Sequence, residues 1–263
     1  MKLRIALKAT ESIWERDIVR YWRDKARFFS SLIQPLLFLA IFGVGMKSAF
    51  SVDLIQFDYV QFMFPGIIAT TVLGISISTA VSIVTDRQFG FLKEILVSPI
   101  PRTSIAIGKI LSGTTLGLIQ TVLLLVLGIF IGFQLNFSLV LLTIGIVALL
   151  GFAITGLGVI IAARMKSTEG FQFIFQLLIF PMMFLSGAFF PLRDAPLWMD
   201  WISKINPLTY AVDGLRRVLL EGTVPAQVID SVTIHSLSTN ILVTVGFGIL
   251  FVIVGVFLFR RAK

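Results

Sequence analysis

Six apolar stretches, each close to the roughly 20 residues needed to cross a hydrocarbon core, decide what this chain can fold into. They lie at about 28–46, 59–84, 105–133, 137–163, 171–189 and 238–259. Backbone amides in lipid have no water to bond, so runs of this length must close their own hydrogen bonds as helices. With 57% hydrophobic and only 14% charged residues in 263, the chain has far too little polar surface for a soluble domain. The expected fold is therefore an all-α polytopic membrane protein with six transmembrane helices in one domain. The third and fourth runs are long enough to tilt or to extend past the bilayer.

Orientation follows from the 22 lysines and arginines. With the N-terminus inside, only Lys47, Arg193, Lys204, Arg216 and Arg217 fall outside, and the other seventeen fall inside. Positive charge collects on the cytoplasmic face, so both termini and the segment between the second and third runs are expected there, in a multi-pass protein of the cell (cytoplasmic) membrane. The net charge of +8 thus reports topology, and no nucleic-acid partner is implied. The first seventeen residues carry acids and no continuous apolar core, unlike a cleaved signal peptide. Across 10–29, Trp14, Ile18, Tyr21, Trp22 and Phe29 recur at helical spacing, with Arg16, Arg20, Arg23 and Arg27 on the other side. That pattern fits an interfacial helix with its aromatics sunk and its arginines on anionic lipid. A plain basic flank to the first span is the alternative.

Two segments between the spans are patterned. The first, 86–102, sets Asp86, Arg87, Lys93, Glu94 and Arg102 among Phe89, Phe91, Leu92, Ile95 and Leu96. It reads as a short amphipathic helix that docks on a partner, ended by Pro99 and Pro101, or else as a solvated loop. The second, 190–237, holds a short Trp-bearing turn at 197–202. Asn206-Pro207 follows as a cap and first-turn proline, then Leu208, Ala211, Val212, Leu215, Val218 and Leu219 at helical spacing. A helix this short cannot cross; it either dips in from the outer side and returns or lies on the outer leaflet. Inside the spans, Gln34-Pro35 should bend the first. A small polar stripe (Thr71, Gly74, Ser78, Ser82, Thr85) and the pairs Gly113-Gly117 and Gly128-Gly132 suit helix–helix contacts better than a pathway lining.

Several chemistries are excluded. There is no cysteine and one histidine, His235, so thiolate nucleophiles and Cys/His metal sites are out, and no metal site is expected. None of the fourteen carboxylates falls mid-span, unlike the relays of ion-coupled carriers. A membrane-embedded transferase would need clustered acids or histidines, and here they are scattered. Nor is there a phosphate-binding G-x-x-x-x-G-K-[ST]; Gly108-Lys109-Ile110 lacks its hydroxyl and its first glycine. The chain therefore has no catalytic site of its own, and uphill transport would need a partner's energy.

Two blocks of residues resemble the type-2 ABC transporter permeases, the six-span membrane subunits of export systems. One is Arg87-x-x-Gly90-x-x-x-Glu94-x-x-x-x-Pro99 with Arg102 and Gly108-Lys109. The other is Phe184-Leu185-Ser186-Gly187-x-x-Phe190-Pro191, then Pro196-x-Trp198, Asn206-Pro207-Leu208-Thr209-Tyr210 and Arg216. The second block looks most like drug- and nodulation-factor-exporting members. The resemblance implies two permease copies, a homodimer by family habit, with two separate ATP-binding subunits that hold ATP and Mg. It makes 86–102 a coupling helix, with Arg87, Gly90, Phe91, Glu94, Pro99 and Arg102 as coupling candidates. It makes the segment after Pro191 an outer re-entrant gate carrying Pro196, Trp198, Asn206, Pro207, Tyr210, Asp213 and Arg216. The expected function is export of hydrophobic or amphiphilic compounds, with a lipid-linked polysaccharide or lipo-oligosaccharide as the alternative cargo. Candidate pathway residues are Gln34, Thr71, Ser78, Gln120, Gln172, Phe175, Gln176, Phe180, Met183 and Phe184.

Overall fold

A computed structural model describes residues 2–45, 58–90, 100–193 and 195–261, and these are helical almost throughout. In chain order the helices are α1 (Lys2–Arg23), α2 (Lys25–Gly45), α3 (Tyr59–Gln88), α4 (Arg102–Ile131) and α5 (Phe137–Arg164). Then come α6 (Thr168–Phe184), α7 (Leu197–Lys204), α8 (Pro207–Leu220), α9 (Ala226–Val232) and α10 (Leu237–Arg261). Helices α3, α4 and α5, and the stretch Ala226–Arg261 that contains α10, are each long and apolar enough to cross a membrane. Helices α1 and α2, which meet at 70°, make a fifth candidate if taken as one bent span. The apolar α6 has 17 residues, at the lower limit of what crosses a hydrocarbon core.

The ends of these helices are set by local chemistry. Asp58, Asn136, Ser167 and Asn206 each accept a first-turn amide with their side chains, starting α3, α5, α6 and α8. Gly132 closes α4 in the left-handed region at φ 99, so it acts as a cap where the sequence pattern suggested a packing glycine. The run expected to continue to 189 stops at Phe184. Ser186 Oγ bonds Met183 O, and Gly187, at φ 77, turns the chain away.

Helices α3, α4, α5 and α10 form the centre; α4 runs opposite to α3 and α5, and α10 runs in the same direction as α5. At one end, Arg87 near the C-terminus of α3 bonds the last carbonyls of α5, and Lys109 near the start of α4 meets Asp86 of α3. At the other end, Gly128 of α4 packs on Phe64 of α3, and Asn240 of α10 bonds Asp213 of α8. Small residues set the spacing: a Cβ at Gly117 would lie 3.2 Å from Val72, and one at Gly113 would enter Thr155. Helix α10 meets α5 in the same way, a Cβ at Gly255 falling 3.0 Å from Gly156 O. Thirteen of the fourteen residues of α8 are buried, so it is inserted among α3, α5 and α10 and does not lie on the bundle surface.

Candidate functional site

The buried face of α1 is a single line, Ala9, Ile13, Asp17 and Tyr21, at i, i+4 spacing. It lies on α4, and Gly108 permits the approach: a Cβ there would fall 3.0 Å from both Ile13 Cβ and Thr10 O. Trp14 Nε1 donates to Thr115 Oγ1 at 3.0 Å. The aromatic side of this helix is thus partly committed to protein. Tyr21 is buried there, while Trp22 stays exposed.

At that line sits a four-residue ionic cluster. Lys109 Nζ, 1% exposed, lies 2.8 Å from Asp17 Oδ2, 3.7 Å from Asp86 Oδ2, and donates to Ser82 Oγ at 2.7 Å. Arg16 Nη2 reaches Asp86 Oδ2 at 3.0 Å and Asp17 Oδ1 at 3.4 Å. Two cations and two anions from α1, α3 and α4 sum to zero; Lys109, Asp17 and Asp86 are buried, and the exposed Arg16 supplies the second positive charge from the surface side. Pattern alone set Arg16 with the lipid-facing arginines and Lys109 with the loop charges; Lys109 is instead internal, and Arg16, which stays exposed, turns its guanidinium to Asp86 and Asp17. The available signal was Asp17, an acid on the buried line of α1.

The same end of the bundle carries the coupling candidates. Arg87 Nη1 donates to Ala162 O at 3.1 Å, to Ala163 O at 3.4 Å and to Met165 O at 2.5 Å. A cation on unbonded carbonyls at a helix C-terminus is favoured by both hydrogen bonding and the helix dipole. Gln88 Oε1 accepts from Thr168 Oγ1 at 2.6 Å, tying α3 to the start of α6. Gly90, at φ 84, then redirects the chain, and Arg102 opens α4. Phe91, Glu94 and Pro99 lie outside the described residues.

At the opposite end the gate candidates act as ties. Arg216 Nη2 donates to Gly187 O at 2.7 Å, its Nε and Nη2 reach Phe62 O at 3.4 Å, and Nη1 reaches Val232 O at 3.5 Å. Its guanidinium lies 3.9 Å from the centre of the Phe62 ring. Asp213 accepts from Ile234 N, His235 N and Asn240 Nδ2 at 2.8–2.9 Å. Asn206 caps α8 and donates to Met182 O at 2.8 Å, and Tyr210 OH donates to Lys204 O at 2.9 Å. Pro207 is the first residue of α8, and Pro196 precedes α7. Pro191 is half-buried just past the Gly187 turn, and Trp198 is exposed on α7.

Between α2, α3 and the end of α6 lies a cavity of about 300 Å³. Of the pathway candidates, Gln34, Thr71, Ser78 and Met183 line it. Gln120 stands behind the wall, donating to Tyr21 OH and, at 2.7 Å, to Ser31 Oγ, so it joins α4 to α1 and α2. Gln172, Gln176, Phe180 and Phe184 sit on the exposed side of α6, whereas Phe175 is buried against Phe171. The wall also takes Tyr21, Ser31, Phe38, Thr70 and Phe189, which come together only through the α1–α2–α3 packing.

Long apolar helices around a polar-lined cavity, with buried charges held at both ends of the bundle, describe a multi-pass membrane transport protein. The chain belongs to the ABC-2 type transporter family, whose model matches residues 8–220. It is 31% identical over 205 residues to a protein named as a transport permease, ycf38, from Cyanophora paradoxa, covering 77% of this chain and 71% of that one. It is 29% identical over 219 residues to the inner membrane transport permease YadH of Escherichia coli, covering 79% and 81%. A protein named as a probable multidrug ABC transporter permease, YbhR of Escherichia coli, is 31% identical over 168 residues, covering 62% and 45%. Family membership implies an ABC transporter with an ATPase partner.

Proposed function

We propose that the chain is the membrane subunit of an ATP-driven exporter, moving hydrophobic or amphiphilic compounds out of the cytoplasm or the inner leaflet. In this reading the six apolar runs are six spans and both termini are cytoplasmic, in agreement with the distribution of lysines and arginines. Two copies pair, two separate ATP-binding subunits supply ATP and Mg, and the assembly resides in the cytoplasmic membrane. The exposed apolar side of α6, with Phe173, Leu177 and Phe180, is a surface suited to a second copy.

The observation that carries the reading is the Lys109 cluster, which lies where α3 leaves for, and α4 returns from, residues 91–99. A push on that segment reaches α3 and α4 first. The cluster holds α1 to both, and Arg87 and Gln88 hold α3 to α5 and α6. Only Asp24 separates α1 from α2, so displacing α1 carries α2, one wall of the cavity. Movement at the ATPase side is thereby turned into a change in cavity width.

The test is gentle affinity purification of the chain from its native membrane. A P-loop ATPase recovered in stoichiometric amount, and lost when Glu94→Ala is combined with Phe91→Ala, supports the reading. Recovery without any ATPase, in several detergents and in lipid discs, overturns it.

A further inference from the structure

We propose that the cavity between α2, α3 and α6 binds the uncharged, hydrogen-bonding head of an amphiphile and discriminates against cationic heads. This names the substrate class of the exporter proposed above and rests on that reading for the ligand's later export; the binding is a property of this chain alone.

Among the described residues, the wall contains no carboxylate, ammonium or guanidinium group. A cation entering it would leave water with no counter-charge, a large cost in a low-dielectric site. Three buried acids are committed elsewhere: Asp17 and Asp86 to Lys109 and Arg16, Asp213 to backbone amides and Asn240.

What the wall offers instead is neutral hydrogen bonding. Gln34 and Ser78 line it from facing helices, and neither side chain has a hydrogen-bond partner among the described residues. Thr70 and Thr71 donate their hydroxyls to Ile67 O, at 3.1 and 2.7 Å, which leaves their oxygen lone pairs as acceptors. Gln34 and Ser78 are exposed on this wall and so open to an incoming group, and a neutral group able to both donate and accept is their complement. Phe38, Met183 and Phe189 supply the apolar side. A volume of about 300 Å³ is at the small end of ligand pockets and equals about ten waters, enough for one sugar ring or a compact amide.

The test uses the full chain in lipid nanodiscs and two photoactivatable probes sharing one diazirine-bearing alkyl tail. One probe carries a glucose head and the other a trimethylammonium head. The glucoside is expected to label peptides of α2 and α3 that border the cavity, and the ammonium probe to label them at about a tenth of that level or less. Combining Gln34→Leu with Ser78→Ala should reduce glucoside labelling about tenfold. Ser78→Asp should raise ammonium labelling above glucoside labelling, a gain that a misfolded variant cannot produce. Equal labelling by the two heads, or undiminished glucoside labelling in the double variant, overturns the proposal. Failure to recover an ATPase would overturn the exporter reading and leave these labelling results to be judged by themselves.

Discussion

Lys109 Nζ sits 2.8 Å from Asp17 Oδ2, so the second turn of α4 is fastened to the middle of α1 inside the protein. The pair is completed by Asp86 and Arg16, and it makes three helices one mechanical unit at the end that receives residues 91–99. A buried ion pair is seldom a net source of stability, because desolvating both charges costs about as much as their attraction returns. Its value here is in fixing which surfaces move together.

Lys109→Met strands Asp17 and Asp86 with too little positive charge, and should cost about 3–5 kcal/mol of stability. The triple change Lys109→Met, Asp17→Leu, Asp86→Asn removes the stranded acids and should recover much of that loss. Thermal unfolding of purified chains would show both effects. No recovery in the triple variant would mean that the cluster does not act as a charge-balanced unit.

Gly108→Val should separate α1 from α4, since any side chain there meets Ile13 and the Thr10 carbonyl. Overpacking of this kind costs about 1–3 kcal/mol. Gly246→Ala, where nothing lies within 4 Å of the added carbon, should leave the unfolding temperature unchanged or slightly raised. Equal effects at the two positions would contradict the α1–α4 contact.

Arg216→Lys should fail to replace arginine. One ammonium cannot span Phe62 O, Gly187 O and Val232 O as a planar guanidinium does, nor stack in the same way on the Phe62 ring. Loss of a buried charged group's hydrogen bonds amounts to about 1.5–3 kcal/mol, visible as faster proteolysis of the segment after Pro191. Arg217, half-buried and paired with the exposed Asp230, should tolerate lysine.

Much of the scaffold was legible in the chain, because apolar length and terminal caps are local properties. Asn206-Pro207 announced the start of α8, and Arg87 and Arg216 were marked by their motifs. Their partners were not readable: both bind backbone carbonyls, which every sequence has. Lys109 was marked by the Gly108-Lys109 pair, but its burial was not, because at the edge of an apolar run a lysine reads as a flank; only Asp17 on the buried line of α1 betrays a partner. The fifth run was over-extended because the positive φ at Gly187 turns a chain that remains apolar to Phe190. The cavity draws on α1, α2, α3 and the end of α6, so its composition follows from packing and not from spacing.

The most direct test of the coupling account is a pair of distances in the complex with its ATPase. With no native cysteines, labels can be placed singly at exposed positions. One pair would be Glu11→Cys with Ile107→Cys across α1 and α4, and the other Leu37→Cys on α2 with Phe184→Cys at the end of α6 that borders the cavity. Pulsed electron–electron spectroscopy would compare the nucleotide-free and ATP-trapped states. The account predicts that the α1–α4 distance stays fixed while the α2–α6 distance changes by several ångströms. A change between α1 and α4 with a constant distance across the cavity would contradict it.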